Sequence, residues 1–306
     1  MANILLRSPY YEYHASSSAL SAKMELSIDG VLQYTIVKDV INGGVLFEIS
    51  ELAKDFIDVV YSGSYTEQTI AITGTVTFYD STSGAGNVIG TPTNFSHIGF
   101  EGYSTFKEGK NFTISDGSLL QSNTIMYVPE NTAGVIPSLT SGEVVYNDFS
   151  TSATSATIES TGITIKRLCD PRFNPIKVTF VNKFGVLQDI WFDKKSTQKF
   201  SAAFEQYKRN IIDLDGSYST TRHQVRTSNY TSTQSITMNT GFIDEGMNDV
   251  IDQLILSEYI WGTIDSEVIP LIIKTKEITH KTVANDKLIN YTIDFDYAFE
   301  VLNNIR

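Results

Sequence analysis

Cysteine is nearly absent from this 306-residue chain: Cys169 stands alone, which excludes an intrachain disulfide and a thiolate metal cluster. Histidine is scarce as well. His14, His97, His223 and His280 are scattered, and none falls at the HxxxH or Cys/His spacing that brings two ligands to one metal. No apolar run approaches the roughly 18 residues of a membrane span, and the first residues lack the basic start and apolar core of a secretory signal. Synthesis in a cytoplasm, without membrane insertion, is therefore expected. Basic residues are outnumbered, 23 Lys and Arg against 35 Asp and Glu, for a net charge of −12. Affinity for nucleic acid rests largely on cationic contacts that displace counterions, so direct nucleic-acid binding is not expected. Self-repulsion between acidic free subunits instead suits a protein that stays dissolved before ordered assembly.

Motifs for chemistry are missing too. There is no Gly-x-Gly-x-x-Gly or Gly-x4-Gly-Lys-Ser/Thr phosphate loop and no Gly-x-Ser-x-Gly elbow. Cys169 beside Asp170 has no histidine partner nearby in sequence and reads as a small apolar residue near a domain boundary. Asp294 and Asp296 invite comparison with the paired carboxylates of glycoside hydrolases, but acidic residues alternating with apolar ones are the ordinary solvated face of a strand. The chain is expected to be no enzyme and to hold no cofactor or metal.

What is abundant is aromatic: 16 Tyr and 17 Phe, with only 7 Pro to interrupt strands. Flat side chains of this kind favour pleated surfaces. The fold class expected is mainly β, as two sandwich-like or barrel-like domains, residues 1–157 and 158–306, because the length exceeds what one core usually supports. In the first domain Met24, Leu26 and Ile28 alternate with polar neighbours, Asp29-Gly30 is a favoured hairpin turn, and Leu32, Tyr34 and Ile36 resume the alternation. Residues 69–80 alternate again. Residues 81–117, rich in Gly, Ser, Thr and Asn, read as long loops and a contact surface, with Phe100 and Tyr103 as candidate interface residues. A Ser/Thr-rich stretch at 148–157 reads as a linker or flat edge strand.

The second domain is patterned more sharply. Ile176, Val178 and Phe180 alternate, residues 182–185 turn, and 187–192 return. Residues 195–212 fit strand or helix equally well. Residues 218–235 are polar and basic, a long loop or protruding arm, and Arg222, His223 and Arg226 are candidate interface residues there. A helix is expected near 244–261: Met247, Val250, Ile251, Leu254 and Ile255 recur at helical spacing after acidic Asp244-Glu245, with Gly262 ending it. Strands should follow at 268–273, 277–283 and 287–299, with a turn at Asn285-Asp286. In the last, Ile289, Tyr291, Ile293, Phe295, Tyr297 and Phe299 share one face, while Asp294 and Asp296, on the other, complete the candidate interface set.

Four stretches carry a likeness: PIKVTFVNKFGVLQDIWF at 175–192, NTGFIDE at 239–245, LILSE at 254–258 and NDKLINYTIDF at 285–295. Residues 163–306 resemble virion structural proteins of tailed bacteriophages, and the order strand, helix, strands is similar to the tail-tube and distal-tail (baseplate ring) fold. That resemblance implies a location in the virion, synthesis in the host bacterial cytoplasm, and self-association into a hexameric ring with other tail or baseplate proteins as neighbours. The competing expectation is a carbohydrate-binding or host-adhesion module of the virion.

Overall fold

The computed structural model describes residues 1–152, 157–158, 162–168, 172–280 and 288–302. The fold is mainly β, with helices at Ser50–Lys54 and Asn248–Leu256 among the described residues. Its N-terminal sheet has six strands in the spatial order Val31–Asp39, Ser21–Ile28, Thr69–Tyr79, Val88–Phe100, Ala2–Leu5, Thr113–Ile114. Strict alternation puts Ala22, Met24, Leu26 and Ile28 into the core. The hairpin turn needs two left-handed residues, and Asp29 and Gly30 take φ of 48° and 78°, a conformation that Asp and Gly adopt at low cost. The Asp29 carboxylate then accepts the Ala71 N–H at 2.8 Å, tying the turn to the next strand.

Part of the region expected to be loops is instead one 13-residue strand, Val88–Phe100, paired along Thr69–Tyr79. Its first half is solvated on both faces, so no apolar alternation marks it. Phe100, expected at a contact surface, has no exposure and packs with Leu5, Ile114, Leu120, Leu139 and Val186. It is a core residue and offers a neighbour nothing.

The second sheet has seven strands in the order Leu187–Phe192, Ile176–Val181, Ile260–Ile264, Glu267–Ile273, Thr292–Tyr297, Val225–Asn239, Thr197–Lys208. The helix lies on it and shares a core with Phe180, Phe192, Ile236, Ile293 and Phe295 through Val250, Ile251 and Leu254. It is shorter than its expected span of 244–261. Asp244 accepts the Gly246 N–H at 3.0 Å and caps a 3₁₀ turn, Glu245–Met247, which leads into Asn248–Leu256. Trp261 and Gly262 are strand residues, because Ile260–Ile264 pairs with a strand on each side; two ladders outweigh another turn of helix.

The last apolar stripe is also broken. Leu288–Ile289 and Thr292–Tyr297 are separate strands, divided where Tyr291 and Thr240 exchange backbone and hydroxyl hydrogen bonds of 3.0 and 3.1 Å. Ile289, Tyr291, Ile293 and Phe295 are buried, whereas Phe299 is exposed. Residues 277–280 lie outside any strand; the rest of that expected strand, the turn at Asn285-Asp286 and Cys169 fall outside the described residues.

The two sheets interlock. Val181, Leu187 and Trp261 pack into the core of the first, and Ile163–Leu168 pairs in parallel with Ile125–Pro129 across the sequence division at 157/158. At the hairpin turn Gly185 has φ of 79°, and a Cβ there would stand 2.6 Å from the Glu101 backbone nitrogen. Only glycine lets the turn approach the first sheet this closely.

In the first half Glu12 sits between two buried histidines, 2.7 Å from His97 Nε2 and 3.6 Å from His14 Nε2. Burial holds the His14 imidazole below its ordinary 6.5, against an opposing pull from Glu12. The unfolded chain therefore takes a proton there more readily than the native one, so stability is full above pH 6.5 and falls as the pH drops below it. Replacing His14→Gln is expected to flatten this fall, read as urea midpoints between about pH 7.5 and about pH 5.

Candidate subunit interface

The strands Thr197–Lys208 and Val225–Asn239 form a hairpin at one edge of the second sheet. Only Ser235–Asn239, its root, is paired to the next strand, Thr292–Tyr297. Beyond the root, among the described residues, the two strands pair only with each other, and the ribbon leaves the body as an arm. Every residue of Thr197–Lys208 is exposed.

Local chemistry holds the ribbon's shape. Phe204 on one strand faces Asn229 and Tyr230 on the other, a bulge marked by the register shift between Ala203 and Glu205. Asn229 takes the left-handed φ of 52° that such a bulge requires, and its amide donates to Glu205 Oε2 at 2.6 Å. The Phe204 and Tyr230 rings lie 5.7 Å apart. At the tip, Asp215 accepts from Ser217 N and Oγ at 3.0 and 2.7 Å, and these bonds hold its carboxyl below the usual range. Arg222 reaches Asp213 at 2.6 Å.

The arm carries an unusual amount of bare apolar surface. Phe200 is 62% exposed, and Phe204, Tyr207, Ile212, Leu214, Tyr218 and Tyr230 are also open to solvent. It is net basic as well. Lys199, Lys208, Arg209, Arg222 and Arg226 outnumber Glu205, Asp213 and Asp215, in a chain of net charge −12.

Of the interface residues expected from sequence, Arg222, His223 and Arg226 come together at the arm's outer end, where His223 and Arg226 share a shallow hollow with Gln206. Asp294 and Asp296 lie at the root. Asp294 accepts the Thr237 hydroxyl, and Asp296 pairs with Lys274 at 3.2 Å. From Ser235 to Val225 the ribbon runs roughly 30 Å, at about 3.3 Å per residue, so the acidic and basic residues form two separate patches in one copy. Tyr103 is committed internally: the Arg7 guanidinium lies over its ring at 5.3 Å, its N–H donates to Lys183 O at 2.8 Å, and burial pushes its hydroxyl up to about 12.

The arm's aromatic residues were not singled out by sequence. Phe200, Phe204 and Tyr207 fall at i, i+4 and i+7, the spacing of an amphipathic helix, yet they sit on a strand solvated on both faces. The polar Thr/Ser-rich partner at 225–235 was the available signal for a ribbon.

Comparison of the chain with protein-family models, curated proteins and solved structures returned no match.

Proposed function

We propose that this chain is a structural subunit of a tailed-phage virion, part of the tail or baseplate, that assembles into a ring through its arm and open sheet edges. The observation that carries this reading is the free-standing ribbon. A two-stranded hairpin is marginal in water, and this one leaves aromatic side chains bare on both faces. Covering each stabilises by about 1.5–3 kcal/mol, which gives the ribbon a reason to dock.

Charge favours a second copy as the partner. A net basic arm meets a body that carries more than the whole chain's excess of acid, and on the face of Thr292–Tyr297 opposite its buried side chains Asp294 is exposed and Asp296 half-buried. An arm on one copy and an acidic face on the next make a head-to-tail contact, which closes into a ring when the rotation per copy divides a full turn. The outer strand of the first sheet, Val31–Asp39, offers another open edge, with Val31, Leu32 and Val37 exposed. The likeness of residues 163–306 to tail-tube and distal-tail proteins supports the ring and its place in the virion.

Light scattering and negative-stain imaging test the reading. The expected result is a ring-scale mass and annular particles for the full chain. Phe200→Ser, Phe204→Ser and Tyr207→Ser together should weaken association about a thousandfold or more with an unchanged melting temperature, since three exposed contacts are lost and no core is touched. A single-subunit mass at every concentration, with no association with purified tails, would sink it.

A further inference from the structure

A cleft of about 820 Å³ opens beside the base of the arm, between the starts of Gly134–Thr140 and Ile176–Val181, the end of Leu187–Phe192 and the turn at 265–266. Its volume is within the range of about 300–1,000 Å³ common to small-molecule sites. Its floor is a locked polar set. Asp189 accepts from the Thr179 hydroxyl at 2.7 Å and from the Tyr65 hydroxyl. Lys177 donates to the Tyr61 and Tyr65 hydroxyl oxygens at 3.0 and 2.9 Å and stands 3.9 Å from Asp189. These groups satisfy one another, so the floor is rigid and its two charges offset.

The walls are aromatic. Trp191 is the one residue of Leu187–Phe192 that is not buried, and its indole lines the cleft together with Tyr65 and the 39%-exposed Phe173. Exposed Asp148, Asn174, Gln198 and Asp265 supply donors and acceptors around the mouth.

This composition selects among ligand classes. A phosphate or other polyanion would meet Asp148, Asp189 and Asp265 against Lys177 and Lys195, with Lys177 already engaged. An apolar ligand would strand the polar mouth without water. A neutral polyhydroxylated ring meets both halves of the site: its C–H face lies on an aromatic side chain, and its hydroxyls donate to carboxylates and accept from amides. We propose that this cleft binds a neutral saccharide, with a sugar ring stacked on Trp191 and its hydroxyls held by Asp148, Gln198 and Asp265. The site is separate from the arm's apolar surface and does not depend on assembly.

The full-length protein is titrated with maltotriose, cellotriose, chitotriose and a wider neutral glycan array, with sialyllactose and ATP as anionic probes. Binding is followed by calorimetry and tryptophan fluorescence. Trp261, the other tryptophan, is buried against Tyr61 and Tyr259, so a change in emission that Trp191→Phe abolishes belongs to the cleft. The expected result is saturable binding of at least one neutral saccharide, about tenfold weaker in Trp191→Ala, the scale of one lost aromatic contact, and retained in Trp191→Phe. Gln198→Ala, at an exposed position, should weaken it several-fold without altering the melt, which keeps the test sound if Trp191→Ala misfolds. Failure of every neutral saccharide to bind, preference for the anionic probes, or shielding of Trp191 only when a peptide of residues 209–224 or another copy docks there would each overturn the proposal.

Discussion

A carboxylate at Phe295 is expected to abolish cooperative folding of the second sheet. Phe295 has no exposure and meets the Phe192 ring edge to face at 6.0 Å. Its strand register places it opposite Ile236 on one side and Ile273 on the other, at the junction that carries the arm. Truncating a buried phenylalanine costs about 3–5 kcal/mol, and an unpaired buried charge adds several more. Together these reach the whole stability of an ordinary domain, about 5–15 kcal/mol. Phe295→Asp should therefore show no cooperative urea transition by circular dichroism, whereas Phe295→Leu should keep one, lowered by on the order of 1 to 2 kcal/mol. A native-like transition in Phe295→Asp would mean that the strand faces the other way.

The second large effect is expected at Asp189, whose side chain is 5% exposed and joins Lys177, Tyr65 and Thr179 across the two halves of the chain. Burial pulls the Lys177 ammonium down while Asp189 and the Tyr61 hydroxyl pull it up, and the upward pull wins. Burial together with the neighbouring carboxylate raises the Tyr65 hydroxyl, which stays protonated and donates. Asp189→Leu strands the ammonium and the hydroxyl, a loss of about 3–5 kcal/mol. Removing both charges, as Lys177→Met with Asp189→Leu, should recover most of it, because an apolar pair of similar volume is often as stable as the buried ion pair. Urea midpoints of the two singles and the double complete the cycle; additive losses would show that the pair is not coupled.

Short-range rules made much of the architecture legible. The hairpin around Asp29-Gly30, the turn at 182–185 and the helix stripe from Val250 to Leu254 all rest on neighbours within a few residues, and all are present. The fold class, mainly β, follows from the same patterning. Phe100 and Trp261 were misplaced because their roles depend on distant strands: Ala2–Leu5 pairs alongside Phe100, and Ile176–Val181 and Glu267–Ile273 flank Trp261. The basic arm residues Arg222, His223 and Arg226 were legible as a polar, positively charged stretch. The aromatic residues beside them were not, since their spacing is that of a helix and only the pairing with Val225–Asn239 makes them a strand.

By itself the sequence determined an acidic, strand-rich chain without an intrachain disulfide, with its turns and the amphipathic helix stripe from Val250 to Leu254, because these depend on backbone preference and on periodicity along the chain. Tertiary structure alone decided which edges stay open, that the basic stretch is a ribbon extending from a sheet, and that Lys177, Asp189, Tyr65 and Trp191 meet at one cleft. Those properties depend on pairings between segments as far apart as Tyr65 and Asp189, separated by 124 residues, and no local period encodes a contact made over such a distance.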